Sequence, residues 1–364
     1  MRKIHKNVVE LILAISIITS AFFLNRSVTS SAADTDKMEV HFIDVGQGDA
    51  TLITSGGHSM LIDAGDDTKG TAIQNYLQKH NVQKLDYLIL THPDADHIGG
   101  APVIITKFDI DTVFVSNYEK DNKTYQKLIQ ALDNKNLKKT TPAVGSQYAL
   151  GTAQITILGP NKTYDNPNDA SIALLIQNGD NKFLFTGDAE ESAENDILAN
   201  DFDIAADVYH AGHHGSRTST SEDFFTAVHP TYAVISCGEG NSYGHPHAQT
   251  LNTFRANGVK VYRTDEQGSI IATSDGKEIA WSCSPSETWL AGEPTDSASA
   301  SAETIKAPSA SAAVSYICNK NTKKFHYPTC SSVDQMSEKN KLEVTLSREE
   351  VIAQGYEPCK RCNP

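Results

Sequence analysis

Residues 92–97 read HPDADH, and two imidazoles and two carboxylates within six positions constrain the fold more than any other stretch of this chain. The preceding LDYLIL, residues 85–90, is a short apolar run of strand character, and Pro93, Gly99 and Gly100 mark a turn around the cluster. A strand end delivers His92, Asp94, Asp96 and His97 together, so that their side chains converge where a helix would fan them out. Imidazole and carboxylate are the ligand types that suit zinc, manganese or iron. One histidine alone is more often structural. This grouping calls for a fold in which strand ends meet around a cation.

Further apolar runs recur in KMEVHFIDV, MLIDAG, TVFVSN, AQITILGP, ASIALLIQN, NKFLFTGD and TYAVISCG, each bounded by turn residues. Amphipathic patterning at residues 72–80 and 125–137 predicts helices between them, so residues 38–291 read as an α/β layered domain. Residues 292–313, GEPTDSASASAETIKAPSASAA, have no apolar period and read as a linker. Residues 314–364 then form a second, small domain that carries four of the six cysteines.

Arg2, Lys3 and Lys6 precede an apolar run at residues 8–24, closed by Ser30, Ser31, Ala32 and Ala33, which is the order of an export signal over residues 1–33. Left uncleaved, the run would anchor the chain in a membrane; the small residues at its end favour cleavage and an extracellular, secreted protein. The formal charge is −14, and loss of the leader, with four basic residues and one acid, brings it to −17. Net charge therefore supplies no long-range attraction to nucleic acid, and a polyanionic substrate would depend on local groups and cations.

HPDADH resembles the HxHxDH signature of the metallo-β-lactamase superfamily, with Asp94 in place of the central histidine. FIDVGQGDA (residues 42–50), LIDAG (61–65), FTGDA (185–189), HHGS (213–216) and GHPH (244–247) flank it in order and look like the hydrolase domain of the ComEC competence proteins. The resemblance covers residues 38–273 and implies an αββα sandwich with a two-metal hydrolytic site. His92 and Asp94 would bind one divalent cation, Asp96 and His97 a second, with Asp188 between them and His213 or His214 completing the second site. Asp96 and Asp188 would thereby be catalytic. The family's third histidine is missing: NPNDASIALLI offers Asn168 and Ser171 at the matching places, which weakens the first cation site. Such an oxygen-rich set tilts the metal from zinc toward manganese or magnesium.

Asp63 reads as a carboxylate that fixes a metal-bound imidazole through its other N–H, or as a turn former before Ala64 and Gly65. Asp44, Gln47 and Asp49 stand evenly between site and scaffold, because GQGD makes a tight turn whatever its chemistry. Ser216, Arg217, Thr218 and Ser219 would meet an anionic substrate group or cap a helix, whose start is itself an anion site. His245 and His247 would supply a general acid for the leaving group. Phosphodiester hydrolysis is the expected reaction, with DNA the substrate that the ComEC likeness favours. Two alternatives stand beside it: a hydrolase of small or cell-envelope phosphodiesters, and a surface binding protein with a vestigial metal site.

In the tail, Cys318, His326, Cys330, Cys359 and Cys362 are candidate ligands, and the CxxC pair has the spacing of a structural zinc site. In an exported protein two disulfides would also staple so small a domain. FHYPTC and GYEPCKRC resemble the zinc-binding domain at the start of the Ada DNA-repair protein, and that likeness puts zinc ahead. Residues 314–364 hold eight basic and six acidic residues, with Lys320, Lys323, Lys324 and His326 around Phe325 and Tyr327. Such a patch would hold nucleic acid by phosphate contact and stacking, or be a solvated face. The pairing of Cys237 and Cys283 is left open.

Overall fold

Adjacent residues along a strand point to opposite sides, and in this protein both sides are buried. The structure, a computed structural model, describes residues 37–292 and, beyond them, 314–328, 330–334, 336–346, 351, 355–359 and 362. The export signal at residues 1–33 and the linker from residue 293 lie outside the described residues. The chain divides into two compact units, on either side of residue 298.

The first unit holds two sheets. One is built from β1 (Met38–Phe42), β2 (Thr51–Ser55), β3 (His58–Ile62), β4 (Lys84–Leu90), β5 (Asp109–Val115) and β6 (Lys139–Thr140). The other contains β7 (Gln147–Leu150), β8 (Ala153–Ile157), β9 (Leu174–Asn178), β10 (Asn181–Phe185), β11 (Val208–His210), β12 (Tyr232–Ile235) and β13 (Lys260–Arg263). β14 (Ile270–Ser274) and β15 (Ile279–Trp281) return to the first sheet, whose order is β15-β14-β1-β2-β3-β4-β5-β6; the second runs β13-β12-β11-β10-β9-β8-β7.

Val40, Phe42, Met60, Ile62 and Ile89 of the first sheet share one buried cluster with Leu174, Phe183, Phe185, Val208 and Val234 of the second, so the sheets pack face to face. The alternate residues Leu52, Leu61, Leu88 and Leu90 turn outward. They meet α1 (Gly70–Lys79), α3 (Ala101–Lys107) and α4 (Lys123–Asn134) through Ile73, Leu77, Ile104, Leu128 and Leu132, while α2 (Ala95–Ile98) is a single turn after β4. On the far side Leu184, Tyr209, Ala233 and Ile235 pack against α5 (Glu191–Leu198), α6 (Glu222–Val228) and α7 (Ala248–Ala256). The result is the αββα layering. The two helices expected from periodicity are present but begin two residues earlier, at Gly70 and Lys123, the second because Asn122 caps it by accepting from the Tyr125 N–H at 2.8 Å.

β3, β4 and β5 are parallel, as are β10 to β13. Their carboxyl ends lead into Asp63, the 92–97 turn, Asp188 and the 212–215 turn, which is where ligands gather in sheets of this kind.

The second unit is a four-stranded sheet in the order β18-β16-β17-β19, from β16 (Val314–Asn319), β17 (Lys324–His326), β18 (Lys341–Leu346) and β19 (Glu357–Pro358). Tyr316, Cys318, Phe325, Val351 and Tyr356 form its small core. The cysteines of both units are free thiols. Cys237 packs in the cluster outside the second sheet and Cys283 beside the cluster between the sheets, so they do not pair.

Candidate metal centre

Two loop contacts bring the site together. Gly48, at φ +126°, lets the GQGD turn lie against the 92–97 turn: a Cβ there would stand 2.4 Å from the Asp96 carbonyl oxygen, and the neighbouring Asp49 N–H donates to that oxygen at 3.1 Å. Asp63, itself at φ +56°, accepts from the Thr91 N–H (2.8 Å) and hydroxyl (2.7 Å) and takes the His97 Nδ1–H at 2.8 Å. That bond places the free lone pair of His97 on Nε2, which faces Asp188 Oδ1 and His214 Nε2, each at 3.3 Å. His213 and His214 follow each other at φ +52° and +56°, backbone that non-glycine residues enter at a cost of about 1–3 kcal/mol each. The turn aims His214 Nδ1 at the Ser236 carbonyl (2.9 Å), so its Nε2 is turned to Asp96 Oδ2 (3.3 Å) and Asp188 Oδ2 (3.6 Å).

Asp49, His97, Asp188 and His214 are all buried, and one donor atom from each lies within 4.8 Å of the others. Burial disfavours charge on His97 and His214, yet the carboxylates of Asp188 with Asp63 or Asp49 outweigh it and hold both imidazoles well above the usual range. Burial likewise opposes ionised Asp188, but His97, His214 and His92 keep it well below the usual carboxylate range. Asp49 is lowered by His210, His214 and His97, and Asp96 by His214 and His97, against the same penalty. His92 is pushed down to about 4 by burial and by His97.

A divalent cation fits this cluster. Asp49 Oδ1, Asp188 Oδ1 and His92 Nε2 are buried polar atoms without a hydrogen-bond partner, a costly state that a metal relieves. His92 Nε2 stands 3.8 Å from Asp188 Oδ2. Two imidazole nitrogens 3.3 Å apart, ringed by carboxylates, form a cation site when their protons leave. The donors are nitrogen and oxygen, which suits zinc or manganese.

The other residues singled out from sequence divide. Asp94 is not one of the four clustered donors and pairs with Lys120 at 2.7 Å, both half-buried. Asn168 and Ser171 supply no imidazole: Asn168 donates to Glu190 (3.4 Å) and Ser171 Oγ accepts from the Asp188 N–H (3.2 Å). Glu190, which no motif signals, also takes the Thr218 hydroxyl at 3.0 Å and lies 3.4 Å from His213 Nδ1, which leaves His213 Nε2 3.6 Å from Asp188. Ser216 and Ser219 are buried, the latter donating to the Ala189 carbonyl, so only Arg217 and Thr218 of that quartet face solvent. The anion place expected at the start of α6 is filled from within, since the buried Glu194 carboxylate accepts from the Thr220 (2.6 Å) and Ser221 (2.9 Å) N–H groups.

His245 lies beside His213 and His214, and His247 lies beside His245. His245, 5.3 Å from His213 between ring centres, is pushed down to about 3 by burial and by His214, His213 and His247. His247 Nδ1 accepts from the Arg217 N–H at 3.0 Å, which keeps that nitrogen unprotonated and its proton on Nε2. Asp44 lies at the edge, exposed and turned back to the Gly46 N–H, and Gln47 Oε1 accepts from the Gly238 N–H.

In the second unit the donor atoms of His326, Cys330, Cys359 and Cys362 lie within 4.8 Å of one another, and His326 Nδ1 is buried without a hydrogen-bond partner. Burial and the neighbouring Cys330 and Cys359 push the Cys362 thiol up to about 12, a penalty that a bound cation would reverse. Cys318 is not among these ligands. It lies two residues after Tyr316 on β16, and the strand period puts both on the core face with Phe325.

Comparison with known proteins agrees with this anatomy. The profile of the Metallo-beta-lactamase superfamily matches residues 43–239, and the chain belongs to that family. The profile described as the metal binding domain of Ada matches residues 302–364. The first unit is a metallo-β-lactamase domain, and the tail is an Ada-type metal-binding domain. Among curated relatives, ComE operon protein 3 of Bacillus subtilis is 29% identical over 251 residues, covering 64% of this chain and 32% of its own. Recombination protein 2 of Haemophilus influenzae is 32% identical over 241 residues, covering 64% and 28%, and competence protein ComA of Neisseria gonorrhoeae is 29% identical over 230 residues, covering 62% and 31%. This chain thus spans about a third of the length of these relatives. Among solved structures, Igni18, a metallo hydrolase of Ignicoccus hospitalis, covers 64% of this chain and 98% of its own at 15% identity and a TM-score of 0.44.

Proposed function

We propose that this protein is an exported phosphodiesterase that cuts DNA at the Asp49, His97, Asp188 and His214 centre. The observation that carries the reading is the trio of buried donor atoms on Asp49, Asp188 and His92 that have no hydrogen-bond partner, around two facing imidazoles. When bound there, a divalent cation would polarise a phosphoryl oxygen and acidify water. Asp63 holds His97 and the Ser236 carbonyl holds His214, each with Nε2 toward the centre. His247, with its proton on Nε2, offers a neutral N–H to a substrate or leaving oxygen. Arg217, exposed on the adjoining turn, supplies charge for a phosphate. DNA as the polymer is supported by relatives named for competence and recombination. The tail, with its small basic excess, would hold the strand near an acidic catalytic unit, and the N-terminal residues 1–33 would direct export.

The test uses the full chain, stripped of metal and reloaded with manganese and zinc, on linear DNA and on a small chromogenic phosphodiester. Metal-dependent release of nucleotides from DNA is expected. Turnover of the small diester alone would move the substrate to small or cell-envelope phosphodiesters, and metal binding without turnover of either would leave a binding protein.

A further inference from the structure

Tyr243 is the most exposed of the large apolar side chains among the described residues, at 61%, and it stands at the mouth of the metal centre. Its ring lies parallel to that of His245, with centres 5.7 Å apart and 18° between planes, and His245 in turn is 5.3 Å from His213 and 5.9 Å from His214. A single exposed aromatic needs no explanation by itself. This one is held in place. Asn241 Oδ1 accepts from the N–H groups of Tyr243 (3.2 Å) and His245 (3.0 Å), while its Nδ2 donates to the carbonyls of Gly238 (2.9 Å) and His245 (2.6 Å). The far side of the loop is braced by the Gly292 N–H on the Pro246 carbonyl at 2.9 Å. Across the His245 and His247 rings, 4.8 Å apart, lies the exposed Arg217, whose N–H binds His247.

We infer that Tyr243 is a stacking platform for the base beside the scissile phosphate, so that the site takes single-stranded nucleic acid with an unpaired base at this position. The inference rests on the phosphodiesterase reading above. A fixed, solvent-facing ring next to a cation for phosphate is the pair of contacts by which single strands are held without regard to sequence. The acidic surroundings sharpen the point: a net charge of −14 repels the polymer, and stacking is a contact that neither this repulsion nor salt abolishes. The same platform gives no purchase on a base kept inside a duplex.

The experiment compares, with the manganese-loaded full chain, single-stranded oligodeoxynucleotides carrying ordinary bases with abasic strands of the same length. The wild type is expected to show a KM for the base-bearing strand lower by roughly ten-fold. Tyr243→Ala should lose that preference, and Tyr243→Phe and Tyr243→Trp should keep it, since the ring and not the hydroxyl stacks. In parallel, a phosphorothioate strand containing 2-aminopurine should be quenched by the wild type and by Tyr243→Phe but not by Tyr243→Ala. Equal KM for the two strands in the wild type, or a preference that survives in Tyr243→Ala, overturns the inference. Failure of the wild type to cut either strand overturns instead the DNA reading on which it rests.

Discussion

Asp63 shows how much one side chain fixes. It sits in a left-handed backbone, takes two hydrogen bonds from Thr91 and one from His97, and so decides which nitrogen of His97 faces Asp188 and His214. Asp63→Ala should lower the affinity of the catalytic site for manganese or zinc by roughly 10–100-fold, the usual loss when a ligand's partner is removed. A competition titration reads this directly, and unchanged affinity would mean that His97 needs no such support. Asp63, His97 and Asp188 were legible in the sequence because each lies in a short motif at the end of a strand run. Asp49 was legible only as an even choice, since its role depends on its own turn packing against Asp96, 47 residues away. Glu190, Lys120 and Tyr243 were not legible: the first two act through neighbours distant in sequence, Thr218 and Asn168 for Glu190 and Asp94 for Lys120, and Tyr243 through a stack on the His245 ring that the loop's curvature sets. The surroundings of His245 and His247, burial among other imidazoles for the first and an N–H from Arg217 for the second, are tertiary facts that the motif does not report.

At the scale of elements, the alternating runs gave the strands and their two buried faces, while the helix ends depended on caps that periodicity does not report. The strand β1 carries a buried charge problem of its own. His41 is enclosed by Tyr76 and His80 of the α1 region, its Nδ1 3.1 Å from the Tyr76 hydroxyl, with Glu39 3.3 Å from Nε2. Burial first, and His80 second, push it down from 6.5 to about 4, against the pull of Glu39. A histidine lowered in the folded state binds fewer protons than it does unfolded, so its neutral form supports the fold above pH 6.5 and that support is lost as pH falls toward 4. Denaturant unfolding between these pH values should therefore show a shallower loss of stability in His41→Phe than in the wild type. Parallel curves would contradict the assignment.

For the whole molecule, an αββα sandwich brings the carboxyl ends of two sets of parallel strands to one edge, and a buried cluster of charged donors forms there at the expense of stability. The second unit solves the converse problem: among its described residues the apolar clusters are small, one around Tyr316 and Phe325 and one around Val333 and Met336, so a cation between His326, Cys330, Cys359 and Cys362 would become part of its folding free energy. The two centres differ in donors, nitrogen and oxygen against nitrogen and sulfur, and so can be told apart by metal. The central claim is that catalysis depends on the cation held by Asp188 with Asp49, His97 and His214. The most direct measurement is the metal content of full-length Asp188→Ala, taken together with its release of nucleotides from DNA. The account predicts a folded variant that keeps the zinc of the tail, loses the cation of the catalytic unit, and falls to the uncatalysed background. A variant with the wild-type metal complement and undiminished hydrolysis would contradict it.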